Sequence, residues 1–360
     1  MMSIHAANKC WPKWTEYNKM TAIGGLAGPP SGICCIHGCQ GPSKIPNCLH
    51  SSSLPQAGSL PNLSQPSHQP VPKLMITKRL TTEQILANLK AKVEARIPIM
   101  ISSAGSGLVA KLQEAAGTDC INTFSGARLR ANGMGTMSMM WPILDSNKQT
   151  LDYTREDIMP ALEGRAFVCA CLNANDPLKD MRMVLQQCKD MGVQSVSNIG
   201  PSISYVDHDS EIFKVMTSAG ITIQNEIDML ILAKEEMDMV SIGLAFTEED
   251  SYAICEQAKP HIFCYHAGTT KGGIKGYDNG MTIEETAEQT EKVYQKCREL
   301  SPDTILVAHG AAMETPDEAQ YMLNHTSGHG FWTGSSTERL PIEKAVSAAA
   351  QEFRGLSFDQ

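Results

Sequence analysis

Two histidines occupy equivalent positions in neighbouring β-rich segments of the chain. His266 lies in a Tyr-His-Ala-Gly segment and His309 in an Ala-His-Gly-Ala segment, each at the end of an apolar run. Imidazole titrates near neutral pH, so two such side chains converging on one ligand could move a proton or hold a metal. Each histidine could instead only hydrogen-bond a neighbouring loop. The equivalent spacing makes His309 and His266 the leading catalytic candidates.

Two loops combine hydroxyl groups with glycine and could bind an anion. One contains Lys271 among small residues, and the other precedes a helix that we expect to begin near Pro341. Backbone N–H groups in such turns and at helix N-termini attract anions, although the first loop could equally be a flexible lid. The residues that we assign to this role are Thr269, Thr270, Gly272, Gly273, Ser335 and Ser336.

The second loop continues into Glu338 and Arg339. These two residues are further catalytic candidates, or else an internal ion pair that fixes the last loop. Other polar or small residues follow predicted strands and are candidates for substrate or phosphate binding: Gly105, Ser106, Ser125, Arg128, Asn198 and Gly310.

A divalent metal such as Mg²⁺ would require oxygen ligands. Asp176 follows the third predicted strand and Glu226 opens a predicted helix, so together they are candidate ligands. A carboxylate at a helix N-terminus also complements the helix dipole without any further role. That second interpretation is favoured for Asp228, and both stay open for Glu226.

Eight short β-rich runs alternate with amphipathic helices, which is typical of parallel strands joined by right-handed crossovers. This pattern predicts a (β/α)8 TIM barrel, in which polar residues at the carboxyl ends of the strands face the substrate. A doubly wound open sheet is the alternative, but only a single Gly-x-Gly turn at Gly105 supports it. The predicted strands are Pro98–Ala104, Asp119–Phe124, Arg165–Asn173, Val193–Ile199, Met239–Ala245, His261–His266, Thr304–Ala308 and Gly330–Thr333.

The chain divides into a tail and a barrel domain. Residues 1–73 contain 10 of the 19 prolines and one acidic residue, Glu16, which favours a disordered, low-complexity segment. Five cysteines lie there beside His37 and His50 and loosely suggest metal ligands, but disorder is the better interpretation. We expect a disordered tail over residues 1–77 and the barrel over residues 78–357.

Composition excludes several classes of protein. A net charge of −9, without a basic stripe, argues against a nucleic-acid partner. No segment reaches about 18 consecutive apolar residues, and no signal-peptide pattern opens the chain, so we expect no membrane association and no secretion. Seven of the 12 cysteines fall in apolar barrel segments, as expected in the reducing cytoplasm. Apolar helices also permit a homo-oligomer.

Four segments together resemble one known family, the phosphoenolpyruvate hydrolase-like TIM barrels. The segments are Ala104–Gly117, Ala308–Ala311, Pro316–Leu323 and Gly330–Glu343, and the similarity runs from about residue 82 to residue 355. The family's strand-six and strand-seven histidine motifs correspond to His266-Ala-Gly and His309-Gly-Ala. Two loops depart from the family: the loop after strand two reads Phe-Ser-Gly-Ala-Arg, and the one after strand four reads Ser-Asn-Ile-Gly-Pro.

The resemblance implies an enzyme of the phosphoenolpyruvate/pyruvate class, a hydrolase or lyase acting on a small phosphorylated or 2-oxo acid. A divalent metal would be its cofactor and a small anion its substrate. The two divergent loops allow an alternative, a barrel that binds a ligand for regulation without turning it over.

Overall fold

The computed structural model describes residues 78–141, 144–269, 272–273 and 280–358. The expected tail over residues 1–77 lies outside this part of the chain, as do Thr270 and Lys271 of the first glycine-rich loop. Within the described residues, no helix is long and apolar enough to span a membrane.

Eight parallel strands close into a barrel in sequence order, with β1 paired to both β2 and β8. The prediction of a (β/α)8 barrel is therefore confirmed, and the open sheet is excluded. Each strand lies within or within one residue of its predicted run. The strands are β1 Ile99–Ser103, β2 Cys120–Thr123, β3 Phe167–Cys171, β4 Ser195–Ser197, β5 Val240–Ala245, β6 Ile262–His266, β7 Ile305–His309 and β8 Gly330–Thr333.

Eleven α-helices are present in the described residues, together with short 3-10 and π segments. Nine of them follow strands in the barrel layer, α1 precedes β1, and α11 follows β8. The helices are α1 Thr82–Glu94, α2 Gly107–Ala115, α3 Ser125–Ala131, α4 Ser146–Tyr153, α5 Met181–Asp190, α6 Glu211–Ser218, α7 Ile223–Ile231, α8 Glu248–Gln257, α9 Ile283–Leu300, α10 Pro316–His325 and α11 Arg339–Arg354.

Helix α1 closes the amino end of the barrel. A capping box begins this helix: the Thr81 hydroxyl accepts the Gln84 N–H while the Gln84 side chain accepts the Thr81 N–H. Ile85 and Leu89 are buried in the same apolar cluster as Ile99 at the start of β1. These two side chains therefore anchor α1 against the start of β1.

Strand register and side-chain alternation arrange the barrel interior in layers of four, contributed by alternate strands. The layer at the level of the last strand residues contains Ser103, Cys171, Leu244 and His309. Above it, at the carboxyl ends of the strands, lie Phe124, Ile199, His266 and Gly334. We call this upper layer and the loops around it the mouth.

Helix α11 buries almost nothing, as does the shorter α6. Arg339 is its one buried residue, whereas Ile342, Val346 and Phe353 are 46%, 62% and 76% exposed. Such a helix is marginal in water by itself, since most helical stability comes from packing an apolar face.

Glu114, at the end of α2, fixes the segment that leads into β3. Its carboxylate is 2% exposed and accepts four backbone N–H groups, from Glu163, Gly164, Arg165 and Ala166, at 2.7 to 3.2 Å. Buried N–H groups are costly without acceptors, so one side chain satisfies a whole turn.

We expect Glu114→Ala to lower the free energy of unfolding by about 3 kcal/mol, because several buried N–H groups would lose their acceptor. Urea denaturation measures this difference. The matched control is Glu94→Ala, which removes an exposed carboxylate from α1 and should change stability by no more than about 0.5 kcal/mol. Equal effects of the two substitutions would contradict the role given to Glu114.

Candidate active site

His266 and His309 lie side by side at the mouth. They are the last residues of β6 and β7, are paired in register, and their rings meet edge to face with centroids 4.3 Å apart. Parallel strands ending at one level place both imidazoles on the inner face of the barrel. The structure therefore brings together the two leading sequence candidates.

Hydrogen bonds give the two neutral imidazoles opposite proton positions. His309 Nδ1 is 2.6 Å from the Trp332 carbonyl, which can only accept, so Nδ1 carries the proton and Nε2 has the lone pair. His266 Nδ1 accepts the N–H of Gly268 at 3.2 Å, so its proton is on Nε2. One ring is thus arranged to accept a proton and the other to donate a hydrogen bond.

Burial keeps both imidazoles uncharged. It lowers the pKa of His309 to about 4, with the nearby Arg130 guanidinium acting in the same direction. Burial also lowers the pKa of His266 well below its ordinary value, and His309 adds to that effect. Both rings are therefore neutral at pH 7.

A buried ion pair between Arg130 and Glu338 lies next to His309. Glu338 Oε2 accepts Arg130 Nε at 3.0 Å and Nη2 at 2.5 Å, and Oε1 accepts the Gly105 N–H at 2.8 Å. Both side chains are less than 5% exposed. Burial raises the pKa of Glu338 and outweighs the lowering effect of Arg130.

The two neighbours Glu338 and Arg339 do not pair with each other. Arg339 Nη1 binds Glu343 at 2.9 Å, and its Nη2 donates to the Gly272 carbonyl at 2.7 Å. The internal ion pair suggested by the sequence is therefore two separate pairs. Both lie at the β8–α11 turn, where Ser335 is buried and Ser336 is partly exposed.

Arg130 is a site residue that the sequence analysis did not identify, since it selected Arg128 instead. A usable signal was available: Arg130 follows Ala127 by three residues, so it lies on the buried face of α3. An arginine on such a face requires a buried acid.

Gly334 lies beside His309 and Arg130 and leaves room for one further carbon atom. A Cβ atom at this position would lie 3.7 Å from His309 Cε1 and 4.0 Å from Arg130 Nη2. A ligand atom placed there would be in van der Waals contact with both groups. We call this space the Gly334 notch.

Tight turns hold the histidine strands together. Gly310 has φ +87°, and a Cβ there would come within 2.0 Å of the Gly268 carbonyl, so glycine is required. That carbonyl accepts the Ala311 N–H at 2.8 Å. Further along the chain, the Gly272 N–H donates to the Glu314 carboxylate.

The candidates after β1 and β2 make internal contacts. Ser106 caps α2, and Ser125 Oγ lies 2.9 Å from Ser146 Oγ. Arg128 Nη1 donates to Asp157 at 2.8 Å and to the Gly105 carbonyl at 3.2 Å. These groups stabilise loops behind the mouth.

Arg128 also lines a groove of about 380 Å³ that includes Asp145, Lys148, Asp152, Tyr153 and Asp157.

Asn198 and Glu226 form a second buried polar cluster. The Glu226 carboxylate accepts bonds from Asn198 Nδ2 at 2.6 Å, Ser202 Oγ at 2.8 Å, the Ile203 N–H at 2.9 Å and Asn175 Nδ2 at 3.2 Å. Burial raises the pKa of Glu226 to about 7 despite these donors. The cluster fixes the loop after β4, and Asn198 also binds both backbone groups of Leu244 on β5.

The candidate metal ligands do not form a ligand set. Both oxygens of Glu226 are occupied by donors, and Asp176 accepts Asn147 Nδ2 at 3.3 Å and the Leu178 N–H at 3.0 Å. Among the residues that the structure describes, no group of three or more His, Cys, Asp or Glu side chains could hold a metal ion.

A family model described as phosphoenolpyruvate hydrolase-like matches residues 84–356. Two similar curated proteins come from tomato, Solanum lycopersicum. The ToMV resistance protein Tm-1(GCR237) is 31% identical over 276 residues, and the ToMV susceptible protein tm-1(GCR26) is 30% identical over the same length. Each match covers 76% of this chain and 36% of the relative, so the chain spans about a third of the tomato proteins.

Solved structures share the fold at low identity. A phosphoenolpyruvate phosphomutase from Streptomyces platensis subsp. rosaceus has a TM-score of 0.50 and 15% identity, covering 75% of this chain and 86% of that one. A phosphonopyruvate hydrolase in complex with oxalate and Mg²⁺ has a TM-score of 0.50 and 14% identity, covering 76% and 88%.

The raised pKa of Glu226 makes stability depend on pH. Because the folded pKa of about 7 exceeds the ordinary 4.5, its contribution is complete below about pH 4.5 and is lost as the pH rises through 7. Glu226→Gln cannot ionise, so between pH 4.5 and 8 it should gain up to about 3 kcal/mol of stability relative to the wild type. Urea denaturation at several pH values tests this, and an unchanged difference would refute it.

Proposed function

The chain belongs to the phosphoenolpyruvate hydrolase-like family, and on that basis we propose that it is an enzyme acting on a small phosphorylated or 2-oxo acid. The reaction is a hydrolysis or lyase reaction, carried out by acid–base chemistry at the barrel mouth. His309 is the general base and His266 the hydrogen-bond donor.

The opposite proton positions of the two imidazoles are the observation that carries this proposal. His309 Nε2 has a lone pair at neutral pH, so it is ready to take a proton from a substrate carbon or from water. His266 Nε2–H, on the neighbouring ring, can donate to the substrate oxygen on which negative charge develops. The Trp332 carbonyl fixes the His309 ring and favours the imidazolium form that follows proton transfer.

The acidic group of the substrate would occupy the Gly334 notch. Arg130 supplies positive charge there, and Glu338 holds the guanidinium in place while accepting the Gly105 N–H. The Ser335–Ser336 turn, with Arg339 at the start of α11, borders the notch. We propose that Thr269, Gly272, Gly273 and Gly310 form the rim above it, while Ser106, Ser125, Arg128 and Asn198 support the rim from behind.

A second candidate function is a binding or regulatory barrel without turnover. The observation that favours it is that the polar side chains of the two divergent loops bind other protein groups. These side chains are Ser125 and Arg128 after β2, and Asn198 after β4. Such a protein would bind the same acids but would not convert them.

The neighbouring phosphonopyruvate hydrolase binds Mg²⁺, but Asp176 and Glu226 do not fit that role here. Their oxygens accept hydrogen bonds from protein donors. The proposed acid–base chemistry uses this chain's own side chains. We also place the protein in the cytoplasm, where the seven described cysteines, all buried and free, would stay reduced.

We further propose a homo-oligomer in which α11 is covered. Its exposed residues Ile342, Val346 and Phe353 lie on one face, spaced by four and seven residues. Leu108 and Leu112 on α2 are 70% and 61% exposed, and α2 lies beside the β8–α11 turn through a Gln113–Thr337 contact. A second copy could cover both sets of apolar side chains.

His309→Ala should lower turnover about 10²- to 10⁴-fold once a substrate is identified, because the general base is lost. Screening the full chain against phosphoenolpyruvate, oxaloacetate and other 2-oxo acids by thermal shift identifies the ligand, since one at about 100 times its Kd adds roughly 2.7 kcal/mol of stability. The control is His325→Ala, an exposed histidine of α10. If turnover falls less than tenfold in both His309→Ala and His266→Ala, the enzyme proposal is wrong. Ligand binding without turnover would favour the regulatory barrel.

Size-exclusion chromatography with light scattering should give a mass at least twice the 39.1 kDa of the chain. The double substitution Val346→Glu with Phe353→Glu places charges on the apolar face of α11 and should give the monomer mass. Ser347→Glu, beside Val346 but on another face, is the matched control. A monomeric wild type would overturn the proposed assembly.

A further inference from the structure

The mouth is divided into a polar half and an apolar half. The polar groups His266, His309 and Glu338 lie from β6 round to the β8–α11 turn. The opposite wall consists of the inward-facing residues Phe124 and Ile199, which are each 4% exposed.

The apolar wall is continuous with the barrel core. Phe124, Ile199 and Leu244 belong to one apolar cluster, and Phe246 packs against it from the loop after β5. Phe246 also reaches the polar half, because its ring centroid is 4.4 Å from that of His266. Arg130 spans the two halves in the same way, with its guanidinium 5.1 Å from the centre of the Phe124 ring.

This division restricts the far end of a bound acid. If the acid binds with its acidic group in the Gly334 notch and its oxo group beside the histidines, the rest of the molecule must face Phe124, Ile199 and Phe246. A second carboxylate against Ile199 and Phe246 would lose its water and gain no charged partner from these two side chains, which is costly. An alkyl group would instead exchange water for apolar contact.

We infer that the substrate is a compact 2-oxo monocarboxylic acid, or its enol, with an apolar side group, and that Ile199 and Phe246 determine this preference. The inference rests on the proposed function, because it assumes that the acidic group binds at the notch. It separates this chain from an enzyme for dicarboxylic acids such as oxaloacetate.

The test compares two acids of similar size with the same 2-oxo acid head. Isothermal titration calorimetry on the full chain measures the Kd of 3-methyl-2-oxobutanoate and of oxaloacetate, with pyruvate as the acid of smallest side group. We expect the branched acid to bind at least about tenfold more tightly than oxaloacetate, since one methylene in an apolar pocket is worth roughly that factor.

Substitution of the wall gives a second readout. Ile199→Ala should reduce the ratio of the oxaloacetate Kd to the branched-acid Kd at least about threefold. Ile199→Val, a milder change that preserves the fold, should move the preference in the same direction by less. Ile212→Ala, on the exposed face of α6, is the matched control and should change neither Kd.

The outcomes separate this inference from the proposal on which it rests. Equal or tighter binding of oxaloacetate, with pyruvate still bound, would overturn the apolar preference and leave the enzyme proposal intact. A preference for the branched acid that survives Ile199→Ala unchanged would overturn the assignment of Ile199. Failure of every acid, pyruvate included, to bind would overturn both.

Discussion

The buried carboxylate of Glu338 is the group on which the arrangement of the mouth depends. It accepts hydrogen bonds from Arg130 Nε, from Arg130 Nη2 and from the Gly105 N–H, so it joins the β8–α11 turn to α3 and to the loop after β1. A buried charge left without its partner costs about 3 to 5 kcal/mol, which makes this contact hard to rearrange. With Arg130 fixed beside Gly334 and His309, its charge adds to the lowering of the His309 pKa that burial causes.

Charged groups at the mouth are therefore concentrated at the Arg130–Glu338 pair, and the neighbouring side chains of His266 and His309 stay neutral. Burial lowers the pKa of both histidines, whereas it raises that of Glu226 behind β4 and that of Glu338 itself. Low dielectric surroundings disfavour the charged form of an acid and of a base alike, so the shifts have opposite signs and one cause. An uncharged base next to a fixed cation is suited to take a proton near a bound anion.

Much of this arrangement could be predicted from the sequence. The alternation of apolar runs with amphipathic helices predicted the bounds of the strands to within a residue or two. The predicted strand ends also placed His266 and His309 at the mouth. Arg130 could not be found in that way, because its role depends on Glu338, 208 residues away. Arg339 likewise binds Gly272, 67 residues away, and Asn198 binds Leu244, 46 residues away. Strand periodicity carries no information about such side-chain contacts across loops.

Closure of the barrel through β1 and β8 has a consequence for synthesis. Ile101 of β1 pairs with Trp332 of β8, and the Gly105 N–H donates to the Glu338 carboxylate. The barrel therefore cannot close until β8 has been synthesised. A chain emerging from the ribosome exposes the free edge of β1 until more than two hundred further residues have been added. Such an edge can pair with other chains, which makes the interval before β8 emerges the period of greatest risk of aggregation.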